Sequence, residues 1–175
     1  MRNAVDLLVH YAAHHRDRRN IASHFVGVPM VVLAVGVLLA RPALPFGGLV
    51  LTPAWTGFVL VALWYLTRGE IVLGAATSMA TGLLLLVGER IAGGSTTAWL
   101  AWGLSLLVLG GLIQLVGHLY EDRKPVLVDD LRALLVGPMF VTAEALFAAG
   151  WNRRLLAQIE QRVGPTVLRD LAKIA

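Results

Sequence analysis

Four long apolar runs constrain this chain more than any other feature of its sequence. Each run is 17–19 residues long, and short polar breaks separate one from the next. At 1.5 Å per residue, helices of this length span about 25–28 Å, close to the roughly 30 Å hydrocarbon core of a bilayer. The runs are His24–Ala40, Leu49–Leu66, Ile71–Val87 and Ala98–Val116. We therefore predict an all-α integral membrane bundle with four transmembrane helices.

Composition agrees with a membrane class. Of the 175 residues, 57% are hydrophobic and only 15% are charged, against roughly 25% charged residues in soluble domains. The absence of cysteine excludes disulfides, thiolate metal sites and cysteine nucleophiles. The first apolar run is too long for a signal peptide, and Pro42 makes a poor cleavage site. A disordered chain and an ordinary soluble enzyme are both excluded.

The C-terminal third is less regular than the four runs. Residues Leu131–Trp151 are apolar but contain Pro138 and Glu144, which favours a re-entrant or interfacial helical segment. Residues Asn152–Ala175 have apolar side chains at helical spacing, with a break at Gly164-Pro165, so we expect an amphipathic helix on the membrane surface. The single membrane domain thus divides into residues 1–23, 24–117, 118–151 and 152–175.

The distribution of positive charge orients the bundle. With four spans, 13 of the 15 Lys and Arg residues lie on one side, and only Arg41 and Arg90 lie on the other. The positive-inside rule then predicts that both termini are cytoplasmic, at the inner membrane of a bacterium or the endoplasmic reticulum of a eukaryote. The basic residues interleave with no aromatics, so we expect membrane lipids and no nucleic acid as partners.

A small-residue ladder on the third span indicates close helix packing and permits a homodimer. Its members are Gly74, Ser78 and Gly82.

Span parity brings three histidines to the same membrane face. His15 and His24 flank the start of the first span, and His118 closes the fourth. On one straight helix His15 and His24 would face opposite sides, so they can meet only if the chain bends near residues 16–20. The alternative is a basic juxtamembrane segment that binds anionic headgroups.

A second polar cluster closes the fourth span. Gln114, His118 and Glu121 are spaced i, i+4, i+7, so we expect them to share one helical face. Three histidines with nearby carboxylates suit Fe(II), Zn(II) or Mn(II). The alternative is a polar cap that ends a span. For Glu144, a functional role at membrane depth and an interfacial position facing water stay equally open.

The motif Tyr11-x3-His15-x4-Asn20-x3-His24-x2-Gly27-x-Pro29, followed by Gln114-x2-Gly117-His118-x2-Glu121-x3-Pro125, resembles the membrane-embedded 2-hydroxy fatty acid dioxygenases. A yeast member of this family acts in phytosphingosine breakdown. The resemblance implies an Fe(II)-dependent α-oxidation, in which a 2-hydroxy fatty acid and O₂ give CO₂ and a fatty acid one carbon shorter.

The resemblance also implies roles for individual residues. His15, His24 and His118 would bind iron, while Asn20, Gln114 and Glu121 would support the ligands or position the substrate, with Glu121 also a candidate ligand. Asp17 stands where many relatives carry a further histidine. Basic and acidic residues near the site in sequence are expected to bind substrate; these are Arg16, Arg123, Lys124 and Glu144.

Two other functions are compatible with the same histidines. A zinc-dependent membrane lipid hydrolase would hold zinc and be indifferent to oxygen. A non-catalytic membrane protein that binds lipid or a partner would tolerate replacement of all three histidines.

Overall fold

The computed structural model describes residues 3–47, 49–121, 130 and 132–170. Within these residues the chain forms seven helices and one short antiparallel hairpin, so the predicted all-α class is confirmed with the hairpin as an addition. The elements are α1 (Ala4–Ala12), α2 (Arg18–Ala40), β1 (Leu44–Phe46), β2 (Leu49–Leu51), α3 (Pro53–Leu66), α4 (Ile71–Ala92), α5 (Thr96–His118), α6 (Ala133–Ala148) and α7 (Arg153–Val163).

Three of the described helices, α2, α4 and α5, are long and apolar enough to cross a membrane. Their outward faces carry large exposed apolar side chains, such as Leu83 and Val108 at 57% exposure each. A soluble protein rarely exposes so continuous an apolar surface. The chain is therefore a multi-pass membrane protein.

The second predicted span was wrong at its start. We expected a helix from Leu49, but α3 begins at Pro53 and has only 14 residues, which cover about 21 Å. The preceding residues instead pair as β1 and β2, with Leu44 opposite Leu51. Proline suits the first helical turn, and the Thr52 side chain accepts a hydrogen bond from the Trp55 N–H at 3.4 Å, so the helix begins there.

The C-terminal region forms a bent helix pair. Helices α6 and α7 meet at an angle of 118°, which fits either one broken span or the predicted re-entrant segment. The predicted break at Gly164-Pro165 is confirmed, because α7 ends at Val163 and Gly164 has a φ of 82°. Residues 166–170 are not helical, although the predicted surface helix continued through them; residues 171–175 lie outside the described residues.

The apolar face of α7 packs on protein. Leu155 and Ile159 are buried in the same core cluster as Leu7 and Leu8 of α1. The amphipathic pattern of the tail was correctly identified, but α1 covers much of the face that we expected to enter the lipid. Helix α7 thereby holds α1 against the rest of the bundle.

Glycines allow α2 and α5 to pack closely in antiparallel directions. A Cβ atom on Gly27 would lie 2.7 Å from the carbonyl oxygen of Gly110, and one on Gly117 would overlap Ser23. At the other end, the Trp99 indole N–H donates to the carbonyl oxygen of Val37 at 2.7 Å. This close packing brings His118 at the end of α5 beside the first turns of α2.

The small-residue ladder on α4 also serves helix packing. A Cβ atom on Gly74 would lie 2.7 Å from the carbonyl oxygen of Tyr65, and one on Gly82 would lie 3.1 Å from the Phe58 ring. The predicted close packing is confirmed, with α3 as the partner. A homodimer stays a prediction.

Candidate metal centre

The three histidines meet at one end of the bundle. Each offers a ring nitrogen, and these three atoms lie within 4.8 Å of one another. His15 lies between α1 and α2, His24 lies in the second turn of α2, and His118 is the last residue of α5. His15 and His24 are 1% exposed and His118 is 9% exposed. The face predicted by span parity therefore does bring these residues together.

A non-helical segment between α1 and α2 allows His15 to approach His24. Helix α1 ends at Ala12 and α2 begins at Arg18, where the Asp17 side chain accepts a hydrogen bond from the Arg19 N–H at 2.8 Å. This break confirms the predicted bend.

Hydrogen bonds fix the orientation of two imidazoles. The Nδ1–H of His15 donates to the carbonyl oxygen of Tyr11 at 2.8 Å, and that of His24 donates to the carbonyl oxygen of Asn20 at 2.9 Å. In a neutral ring the proton on Nδ1 leaves Nε2 with a lone pair. The two Nε2 atoms lie only 3.1 Å apart. Two lone pairs this close repel each other unless a proton or a cation lies between them.

The third imidazole also has an unused nitrogen. Nδ1 of His118 is buried and has no hydrogen-bond partner among the described residues. A buried polar atom without a partner is costly, and metal ligation would satisfy it. Ligating histidines commonly donate their other N–H to a backbone carbonyl, as His15 and His24 do here. The donor set therefore fits a borderline divalent metal such as Fe(II) or Zn(II).

The environment of His15 favours the neutral ring. Burial lowers the pKa of His15 well below its ordinary value, and the neighbouring His24 lowers it further. A metal ligand must be deprotonated, so this shift keeps the imidazole ready to bind at neutral pH.

Glu121 supports the loop that carries His15. Its Oε1 accepts hydrogen bonds from the Asp17 N–H at 2.6 Å and from the Asn20 amide at 3.1 Å, while Oε2 lies 3.3 Å from the Arg169 guanidinium. The expectation of one helical face is wrong at this residue, because α5 ends at His118 and Glu121 lies in the following turn. Asn20 and Glu121 thus both form hydrogen bonds that hold residues 14–17, the loop that contains His15.

Of the predicted substrate-binding residues, Arg16 and Glu144 do not line the cavity at the histidines, and the other two lie outside the described residues. The guanidinium of Arg16 donates to the carbonyl oxygens of Ala12 and Gly164, each at 2.9 Å, and lies 3.8 Å from the Glu144 carboxylate. These contacts favour a structural role for Arg16 and Glu144, and their substrate role stays a prediction. Arg123 and Lys124 lie outside the described residues.

The C-terminal segment after α7 holds the histidine loop in place. Val167 exchanges backbone hydrogen bonds of 2.8 and 2.9 Å with Arg16 and Arg18, and the Arg169 N–H donates to Asp17 at 2.8 Å. The hydrogen bond from the Arg19 side chain, together with those from the backbone N–H groups of Arg169 and Arg19, lowers the pKa of Asp17 to about 2. Sequence spacing gave no indication of this pairing, because about 150 residues separate the two segments.

A cavity of about 400 Å³ adjoins the three histidines. Its polar lining comes from Tyr11, Gln114 and the histidines, and its other walls are apolar or glycine. The latter residues are Val28, Val31, Val32, Leu107, Gly111, Leu115, Ala133, Leu134, Gly137 and Pro138. The cavity can therefore accept a molecule with a small polar head and an apolar remainder.

Tyr11 opens the motif quoted above, but the sequence analysis gave it no role in the site. Its ring stacks on His15 with centroids 4.1 Å apart, and its hydroxyl lies over Gly137 at the cavity wall. Burial raises the pKa of Tyr11, so the phenol stays protonated and can donate a hydrogen bond. Its position four residues before His15 on α1 was the available signal.

Comparison with known proteins gives two matches. The sequence model of a family described as 2-hydroxy-palmitic acid dioxygenase Mpo1-like matches residues 1–149. The 2-hydroxy-palmitic acid dioxygenase MPO1 of Saccharomyces cerevisiae is 29% identical over 153 residues, which cover 86% of this chain and 83% of the yeast protein. No solved structure matches significantly. The matched region includes all three histidines.

Proposed function

We propose that this chain, which belongs to the Mpo1-like family, is an Fe(II)-dependent dioxygenase that shortens 2-hydroxy fatty acids by one carbon. The observation that carries the proposal is the convergence of three buried imidazoles at the polar end of an apolar cavity. In the balanced reaction, R–CH(OH)–COOH and O₂ give R–COOH, CO₂ and water.

The histidines would hold the metal through the ring nitrogens that face one another. Fe(II) bound by three protein ligands would keep coordination positions free for O₂ and for the hydroxyl and carboxylate of the substrate. Holding these groups side by side would give the proximity that cleavage of the C1–C2 bond needs.

The protein's own groups would bind and orient the hydroxy acid. The Tyr11 hydroxyl and the Gln114 amide are the polar lining groups besides the histidines, so they are suited to donate hydrogen bonds to the substrate carboxylate. The apolar walls would hold the start of the acyl chain and exclude water. Asn20 and Glu121 would keep His15 and His24 in their relative positions, because Glu121 accepts hydrogen bonds from the segment between the two histidines.

The direct test is conversion of 2-hydroxyhexadecanoate by detergent-purified protein loaded with iron. We expect pentadecanoate and CO₂ in the presence of oxygen, and no conversion of hexadecanoate, which lacks the hydroxyl that would bind the metal. Gln114→Ala should raise KM more than it lowers kcat, because it removes a binding group and leaves the ligands intact.

Failure of the iron-loaded protein to convert any 2-hydroxy acid would overturn the proposal. Hydrolysis of a lipid ester by zinc-loaded protein without oxygen would support the hydrolase instead.

A further inference from the structure

A second cavity, called the deeper cavity below, lies farther from the histidines along α2. Its volume is about 320 Å³, and residues of α2, α3, α4 and α6 line it. The Tyr65 hydroxyl in its wall already donates to the carbonyl oxygen of Leu135 at 2.9 Å, so it offers no free donor. The lining is otherwise apolar apart from Thr81. Such a cavity suits a hydrocarbon chain, and the Thr81 hydroxyl is the one further polar side-chain group that the described residues place in its lining.

The two cavities share part of their walls. Val31 and Val32 of α2 and Leu134 and Pro138 of α6 line both of them. The two cavities are therefore adjacent, with these four side chains at the place where they meet. Helix α2 runs along both cavities from His24 to Leu39, a path of about 22 Å at 1.5 Å per residue.

We propose that the deeper cavity binds the distal part of the substrate's acyl chain and sets the preferred chain length. This inference rests on the proposed function, because it assumes that the substrate head lies at the histidines. Each leaflet supplies half of the roughly 30 Å hydrocarbon core, so the acyl chain of a typical membrane lipid extends about 15 Å. A path of about 22 Å holds a chain of that length with its head at the metal site.

Gly57 is the position at which the acyl site can be shortened. It lines the deeper cavity, and a Cβ atom added there would meet no atom within 4 Å. Gly57→Leu therefore fills the cavity without a clash, and leucine is a better helix former than glycine. Val59→Phe is the matched control, since Val59 lies on the same helix and is 53% exposed on its outer face.

Chain-length selectivity is the first measurement. For Gly57→Leu we expect kcat/KM with 2-hydroxyhexadecanoate to fall at least tenfold, since each methylene excluded from an apolar site costs about fourfold. With 2-hydroxyoctanoate the value should stay within about twofold, because the short chain does not reach Gly57. Val59→Phe should leave both values unchanged. An equal effect of Gly57→Leu on both substrates would overturn the proposal.

Photolabelling of metal-free protein gives a readout that needs no turnover. A 2-hydroxyhexadecanoate with a diazirine at its terminal carbon should label the α3 and α4 wall, including Phe58 and Leu85, and Gly57→Leu should abolish that labelling. Labelling only outside this wall would contradict the proposal. So would equal competition by phosphatidylcholine and by the unlabelled hydroxy acid, since the cavity would then hold ordinary membrane lipid.

The two measurements separate the acyl site from the reaction. Specific labelling of the wall in a protein that shortens no hydroxy acid would support the acyl site and overturn the proposed function. Turnover without any change of chain-length preference in Gly57→Leu would support the function and overturn the acyl site.

Discussion

Glu121 is a buried carboxylate three residues after the candidate ligand His118, and its hydrogen bonds favour support of the site over ligation. In Glu121→Ala, the Asp17 N–H and the Asn20 amide lose their acceptor, and each unpaired buried donor costs about 1–3 kcal/mol. In Glu121→Gln, the amide oxygen replaces Oε1 as acceptor. We expect thermal stability and metal affinity to fall in Glu121→Ala, and metal binding to survive in Glu121→Gln.

Thermal unfolding and metal analysis of the two variants decide between these roles. A folded Glu121→Gln protein that has lost its metal would contradict the supporting role and make Glu121 a ligand.

Asp17 gives the histidine loop a pH dependence in acid. Its pKa is lowered from 3.8 to about 2, chiefly by the hydrogen bond from Arg19, so the folded protein favours the carboxylate. The stabilisation is complete above about pH 4 and is lost as the pH falls towards 2. We expect Asp17→Asn to melt at a lower temperature than the parent protein at pH 5, with the difference shrinking as the pH is lowered. A difference independent of pH would contradict this account.

At the scale of single residues, the sequence predicted that the three histidines come together, but it did not predict the hydrogen-bond partners of Asp17. The bend between His15 and His24 followed from their nine-residue separation, because one straight helix cannot bring them together. The pairing of Asp17 with Arg169 and Val167 could not be predicted, since no local periodicity relates segments so far apart in the chain.

The glycine contact between α2 and α5 is the packing interaction on which the site depends. Gly110 and Gly111 are neighbours on α5, but a Cβ atom on Gly110 would lie 2.9 Å from both the Gly27 carbonyl oxygen and the Met30 Cβ, while one on Gly111 would meet nothing within 4 Å. Gly110→Ala should therefore destabilise the protein by about 1–3 kcal/mol through overpacking.

Gly111→Ala is the matched control for this contact. It should be neutral or stabilising by up to about 1 kcal/mol, because alanine favours a helix over glycine. Unfolding of both variants in the same detergent measures the difference. Equal stability of the two variants would show that α2 and α5 do not depend on this close approach.

The ends of helices were predictable where the composition changes sharply from polar to apolar. They were less predictable where a capping or turn residue sets the end of the helix. The polar breaks around α4 gave its start at Ile71 correctly. The start of α3 was missed because hydrophobicity alone continues back to Leu49, whereas Pro53, capped by Thr52, begins the helix. The end of α7 was indicated by Gly164, whose positive φ suits a residue without a side chain.

The whole molecule is expected to keep its histidine end on the cytoplasmic side. The chain has no native cysteine, so single-cysteine variants can be labelled without background. His10 in α1 and Thr97 in α5 are exposed and lie at opposite ends of the predicted topology. In oriented vesicles, His10→Cys should react with an impermeant maleimide only from the cytoplasmic side, and Thr97→Cys only from the other side. Labelling of both from one side would contradict the topology.

The central claim is that His15, His24 and His118 bind one catalytic iron. Metal content of protein purified in detergent without oxygen tests it most directly, with His118→Ala beside the parent protein and Gly111→Ala as a control for substitution on the same helix. The account predicts about one iron per chain in the parent and control proteins, and loss of iron from a His118→Ala protein that stays folded. Absence of metal from the parent protein after Fe(II) is added back, or iron retained in full by His118→Ala, would contradict it.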